Sequence, residues 1–167
     1  MGLINPMLAE FSQEMATTRK MLEILPEKQL GWKPHPKSMS WGRLASHIAE
    51  NPSFASVILD TEVFEMDPAA YKPLDLKTVK EILETFDKNV AAASAALKTA
   101  QDGQLLKTWT FRIKGKTVFS MPKIAALRMM IFSHTLHHRG QLSVYLRLND
   151  VPLPSVYGPT ADTGSFA

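Results

Sequence analysis

Three histidines, His47, His134 and His138, are the residues best placed to do chemistry. Positions 134 and 138 lie about 40° apart around an α-helix, so both rings leave one face. That face is a core stripe, running through Leu127, Met130, Ile131, His134, His138, Gln141 and Tyr145. An imidazole buried there needs a partner, either a metal or a hydrogen bond to a carboxylate or carbonyl, because an unsatisfied buried polar group is costly. His47 sits on the apolar stripe of a second segment and can supply a third ring nitrogen. Three such nitrogens hold a divalent transition metal and leave a coordination position open for water or substrate.

The neighbouring polar residues are secondary candidates. His137 would also share a face with His134, about 60° away, but His138 lies closer to the Leu127–Ile131–His134 line. His35 sits in the loop segment Trp32-Lys33-Pro34-His35-Pro36, where a surface or loop-packing role is expected, with the pocket rim as the alternative. Glu50 could back His47 or act as a fourth ligand, although a solvated carboxylate is the simpler expectation. Asn51, four residues after His47, faces the same side and could line a pocket. Tyr145 is expected to pack, with its phenol near the metal as the alternative. Arg139 is expected to point away from His138. No Ser-His-Asp arrangement, phosphate loop, dinucleotide fingerprint or His-Glu-x-x-His motif is present.

These side chains need helices to position them, and the periodicity supplies four helical segments. The first runs from about Pro6 to Leu25, with Leu8, Phe11, Met15, Thr18, Leu22 and Leu25 on one stripe and Pro26 as its stop. A proline-rich connection to Met39 follows. Ser40 is a plausible N-cap for a second helix carrying Trp41, Leu44, Ala45, His47, Ile48 and Ala49. Pro52 would kink it, and Phe54, Val57, Ile58 and Val63 continue the pattern. A loop from Asp67 to Asp75 leads to a third helix, about Leu76 to Thr99, ended by Gln101-Asp102-Gly103. Trp109, Phe111 and Ile113 then alternate before Lys114-Gly115-Lys116, which predicts a β-hairpin over 107–121. Pro122 opens the fourth helix, expected to reach about Asn149. The last dozen residues are expected to form a surface tail. The predicted class is all-α, a four-helix bundle with a small β-hairpin before the last helix, in one domain over 1–167.

Composition narrows the function classes. The 167 residues, 45% of them hydrophobic, suffice for a full core. There is no cysteine, which excludes disulfides, thiolate catalysis by the chain itself and Cys-type zinc sites. Nineteen basic residues against sixteen acidic give a formal charge of only +3. The basic residues are scattered rather than gathered into a stripe, so nucleic acid is not expected as a partner. No apolar run approaches a bilayer span and no signal peptide is read, so the expected setting is cytoplasmic, without a membrane.

Two blocks carry a family resemblance. His134-Thr135-Leu136-His137-His138-Arg139-Gly140-Gln141, followed by Tyr145-Leu146-Arg147, resembles the HxxxHRGQ signature of the DinB/YfiT-like superfamily. Trp32-Lys33-Pro34-His35-Pro36-Lys37-Ser38, leading to Trp41 and His47, is similar to its first block, and Val151–Pro159 to its ending. The resemblance implies an up-down-down-up bundle, often a homodimer, with zinc or nickel held by three histidines. By position these fall on His47, His134 and His138. It further implies small-molecule substrates and, in some relatives, transferase or isomerase reactions that use a low-molecular-weight thiol. The leading expectation is therefore a metal-dependent, thiol S-transferase-like enzyme. A metal-dependent hydrolase and a non-catalytic stress-response binding module are the alternatives.

Overall fold

A computed structural model describes residues 2–164. Helix α1 spans Ile4–Glu23 and buries Phe11, Met15, Thr18 and Leu22, the stripe expected from spacing, together with Met7, Met21 and, unexpectedly, Glu14. The proline-rich connection contains only a 3-10 turn at Glu27–Gln29. Ser40 caps α2, Trp41–Glu50, by accepting a hydrogen bond from the Arg43 amide at 3.2 Å. Helix α2 packs against α4, Val79–Thr99, and against α7, His134–Arg147; α1 packs against the same two helices. Thr78 and Glu81 start α4 with reciprocal caps, which satisfy two amides that the first turn leaves free.

The expected four-helix bundle with a hairpin is met in part: the fold is mostly helical, and the hairpin belongs to a small three-stranded mixed sheet. The second helix does not continue to Val63. Pro52 lies in a 3-10 turn, Asn51–Ser53, because it cannot supply the amide a continuing helix requires there. A short α3, Phe54–Asp60, follows and ends at Thr61 in extended backbone. Val63–Met66 then form β1, which pairs in parallel with β2, Thr108–Ile113. Strand β2 pairs antiparallel with β3, Lys116–Pro122, as the alternation at Trp109 and Phe111 predicts. Lys114 and Gly115 make the hairpin turn at φ of 49° and 75°, the left-handed pair that a two-residue hairpin loop requires. The third helix is not simply terminated at Gly103, since Asp102–Leu105 form a separate turn, α5. Asp102 there accepts the Leu3 and Ile4 amides and so caps α1 from across the fold.

The fourth helical segment is also remodelled. After α6, Lys123–Leu127, a π-helical stretch covers Arg128–Ser133 before α7 begins at His134. The wider π turn is matched by the break in the facing helix. The Asn51 side-chain amide donates to Ile131 O at 3.3 Å and to Thr135 Oγ1 at 2.8 Å. The irregular stretch beside α2 and the irregular stretch before α7 are therefore tied to each other next to the histidines.

The tail is more than a surface strand of chain. Arg139, on α7, is buried and reaches Glu14 Oε2 at 2.8 Å, Glu14 O at 3.2 Å and Thr18 Oγ1 at 3.2 Å. It also donates to the Tyr157 hydroxyl at 2.7 Å, and that hydroxyl donates to Glu14 Oε2 at 2.9 Å. Arg147 pairs with Asp162 farther along. The tail is thus clamped to α1 and α7 through residue 162; residues 165–167 of the expected tail lie outside the described residues. Among the described residues no helix is long and apolar enough to cross a membrane.

Candidate metal centre

Helix α2 delivers His47 and α7 delivers His134 and His138, and their packing brings the three rings together. His47 Nε2 lies 3.0 Å from His134 Nε2, which lies 2.7 Å from His138 Nε2. One nitrogen from each ring lies within 4.8 Å of the others, a grouping that could hold a metal ion.

Proton counting supports a cation at this point. Gln141 Oε1 lies 2.7 Å from His138 Nδ1 and accepts its proton, so the neutral ring turns a bare Nε2 toward His134. If His134 Nε2 carries a proton, that proton can serve one neighbour well, not two. If it carries none, two bare nitrogens face each other at 2.7 Å. With the rings neutral, one short contact lacks a proper hydrogen bond in either case. A shared cation satisfies all three lone pairs, so the donor set fits a divalent transition metal.

The environment keeps the rings neutral. Burial holds His47 down to about 4, helped by the nearby His138 and the positive charge of Arg43. Burial likewise lowers His134, with His47 and His137 adding to the effect. For His138 burial again dominates, partly opposed by the Gln141 hydrogen bond. Neutral imidazole is the ligating form. His47 Nδ1 is buried without a hydrogen-bond partner among the described residues and lies 3.8 Å from Glu50 Oε2; with the ring neutral, that approach is not an ion pair. Arg43, one helical turn before His47, also has a buried Nη1 with no partner among the described residues.

A cavity of about 330 Å³ opens beside His47 and His134. Glu50, Asn51 and Tyr71 line it together with Phe54, Phe64, Met66, Phe111 and Met130. Tyr71, on the loop after β1, donates weakly to Glu50 Oε2 at 3.4 Å. Burial pushes the Glu50 carboxyl up, against the opposing charge of Arg43. Glu50 is therefore a pocket residue rather than a solvated one, and Asn51 lines the pocket as well as bracing the π turn.

The other candidates fall elsewhere. Tyr145 packs edge-on against Trp32 with ring centroids 5.6 Å apart, and its hydroxyl donates to Met39 O at 3.4 Å, so packing is its role. His35 accepts the Lys37 amide on an exposed loop and is not part of the trio. His137 is exposed; its ring centroid lies 4.9 Å from that of His138. Arg139 points away from the trio, as expected, but into a buried network. Sequence reasoning missed Arg43 and the aromatic wall. Arg43 could have been found four residues before His47 on the same helical face. Phe64 gave no comparable signal, because β1 is defined by its pairing with a distant strand.

Comparisons with known proteins agree with the fold. The DinB family profile matches residues 2–164. The uncharacterized protein YrdA of Bacillus subtilis is 25% identical over 155 residues, covering 93% of this chain and 88% of that protein. A DinB-like protein of Bacillus cereus superposes with a TM-score of 0.71 at 25% identity, over 90% of this chain and 95% of that one. The mycothiol-dependent maleylpyruvate isomerase shares the fold at a TM-score of 0.57 and 10% identity, over 90% of this chain and 62% of that chain. With its family profile matched along almost its whole length, the chain belongs to the DinB family.

Proposed function

We propose that the protein is a metal-dependent enzyme that activates a thiol, or water, at a divalent metal held by His47, His134 and His138. The observation that carries this reading is the convergence of three Nε2 atoms for which neutral imidazoles cannot supply enough protons. Zinc or nickel suits three imidazole ligands with a further position open. When bound, such a metal supplies Lewis acidity that lowers the pKa of a thiol or water and favours the nucleophile at neutral pH.

The chain's own residues would do the rest. Gln141 fixes the His138 ring with its Nδ1 proton outward, and Asn51 braces the turn before α7. The Arg43 guanidinium raises the positive potential around the site and so favours an anionic nucleophile. Glu50, facing the cavity, is a carboxylate placed to take a proton. A thiol S-transferase-like reaction with a low-molecular-weight thiol is the preferred version. The fold shared with a mycothiol-dependent isomerase supports it by analogy alone. The reading extends to one domain with up-down-down-up helices, working as a homodimer in the cytoplasm on a small-molecule substrate.

The position of Glu50 favours a second version, metal-dependent hydrolysis with Glu50 as base. Metal-loaded protein assayed against paired thiols and electrophiles separates the two. Thiol consumption above the rate of the His138→Ala variant is expected. Turnover of esters or amides without thiol consumption, abolished in Glu50→Gln, would replace the transferase version.

A further inference from the structure

The cavity beside the histidines is chemically lopsided. One side presents His47, His134 and Glu50; the rest is dominated by Phe54, Phe64, Met66, Phe111 and Met130. Strand β1 builds much of this apolar wall. Phe64 and Met66 are two residues apart and so share a face of the sheet, and Phe64 stands in register with Phe111 of β2. Phe64 stacks on Phe111 with ring centroids 5.8 Å apart and planes only 13° apart, while Phe54 meets Phe64 edge-on at 4.8 Å. The three rings brace one another into a fixed floor, and each remains half-buried.

A polar solute would leave its hydrogen-bonding groups unmatched against that wall, whereas an apolar body loses nothing there. The volume of about 330 Å³ lies at the small end of small-molecule sites. The geometry points to a substrate with an apolar, aromatic-sized body seated on Phe54, Phe64 and Phe111, and one polar, reacting end directed at His47 and His134. This deepens the proposed function by naming its substrate class. It rests on the metal reading for the reacting end, while the apolar seat stands on the aromatic wall alone.

The test uses the full chain, metal-free, with ¹³C-labelled methionine methyls and p-cresol as the probe. Met66 and Met130 flank the seat, whereas Met7, Met15 and Met21 lie in the core. The expected result is a saturable shift of the Met66 and Met130 methyls with the core methyls unmoved, and no shift with glycerol. Phe111→Ala should weaken p-cresol binding about tenfold, and the milder Phe64→Leu about threefold, by loss of aromatic contact. Unmoved core methyl resonances show that each variant is folded. No shift at Met66 and Met130, shifts spread through the core, or an affinity unchanged in folded Phe64→Leu would overturn the proposal. Metal uptake by the same preparation, measured after incubation with zinc and nickel, keeps the two readings apart. Cresol binding by protein that cannot take up metal would leave the seat standing and remove the metal centre; metal uptake without cresol binding would do the reverse.

Discussion

His138 and Arg139 are adjacent in sequence and serve opposite kinds of buried polar cluster. Arg139 enters a closed network in which Glu14, Thr18 and Tyr157 give its guanidinium partners within 3.2 Å. His138 joins a cluster in which one short nitrogen contact lacks a hydrogen bond and His47 Nδ1 has no partner. Both clusters pack α7 against another helix, and His138 and Arg139 are both buried, so the burial of these two residues does not separate them. Hydrogen-bond satisfaction does. A buried polar group with every partner in place is part of the scaffold, while a buried set that its own protons cannot satisfy calls for a ligand.

The largest expected effect breaks the satisfied side. Arg139→Met leaves the Glu14 carboxylate buried without its cation and should cost about 3–5 kcal/mol in urea unfolding. The double variant Glu14→Leu, Arg139→Met should recover most of that loss. A single variant as stable as the parent would show that the clamp is not structural. On the unsatisfied side, Gln141→Leu removes the acceptor that orients His138 and should weaken metal affinity ~10–100-fold in competition with a chelator. The same variant should leave metal-free stability within about 1 kcal/mol of the parent, because one hydrogen bond is lost. Equal losses of metal affinity and metal-free stability would blur the distinction between the two clusters.

Smaller effects sharpen it. Tyr157→Phe deletes the hydroxyl that bridges Arg139 and Glu14 and should cost about 1 kcal/mol, with metal affinity unchanged. The pH dependence is the finest probe. His47 titrates at about 4 in the fold against 6.5 for an unperturbed ring, so the unfolded chain takes up the proton first. Its contribution to metal-free stability is therefore present above pH 6.5 and is lost as pH falls toward about 4. The difference in unfolding midpoint between parent and His47→Ala, followed across that window, isolates this contribution from the carboxylates. A difference that stays constant would contradict it.

Much of this contrast was legible in the sequence, and the illegible part has a physical pattern. The four-residue spacing of His134 and His138, the Ser40 cap and the stripe on α1 are local, and local periodicity predicts them. The hairpin was legible because Trp109 and Phe111 alternate and Lys114-Gly115 can turn. The π stretch at Arg128–Ser133 was not, since its register is braced by Asn51 from another helix. Val63 read as helix because its strand exists only through pairing with β2, far along the chain. Glu14 and Tyr157 are ordinary residues until Arg139 brings them together across the fold. Three histidines carried by two helices could be found from spacing; the wall and the clamp, assembled from distant segments, could not.

The central claim is that His47, His134 and His138 are metal ligands rather than a hydrogen-bonded core cluster. Metal content by plasma mass spectrometry, on untagged protein with His134→Ala alongside, tests it most directly. The account predicts about one transition-metal ion per chain in the parent and none in the variant. A parent chain that takes up no metal, even after incubation with excess zinc and nickel, would contradict it.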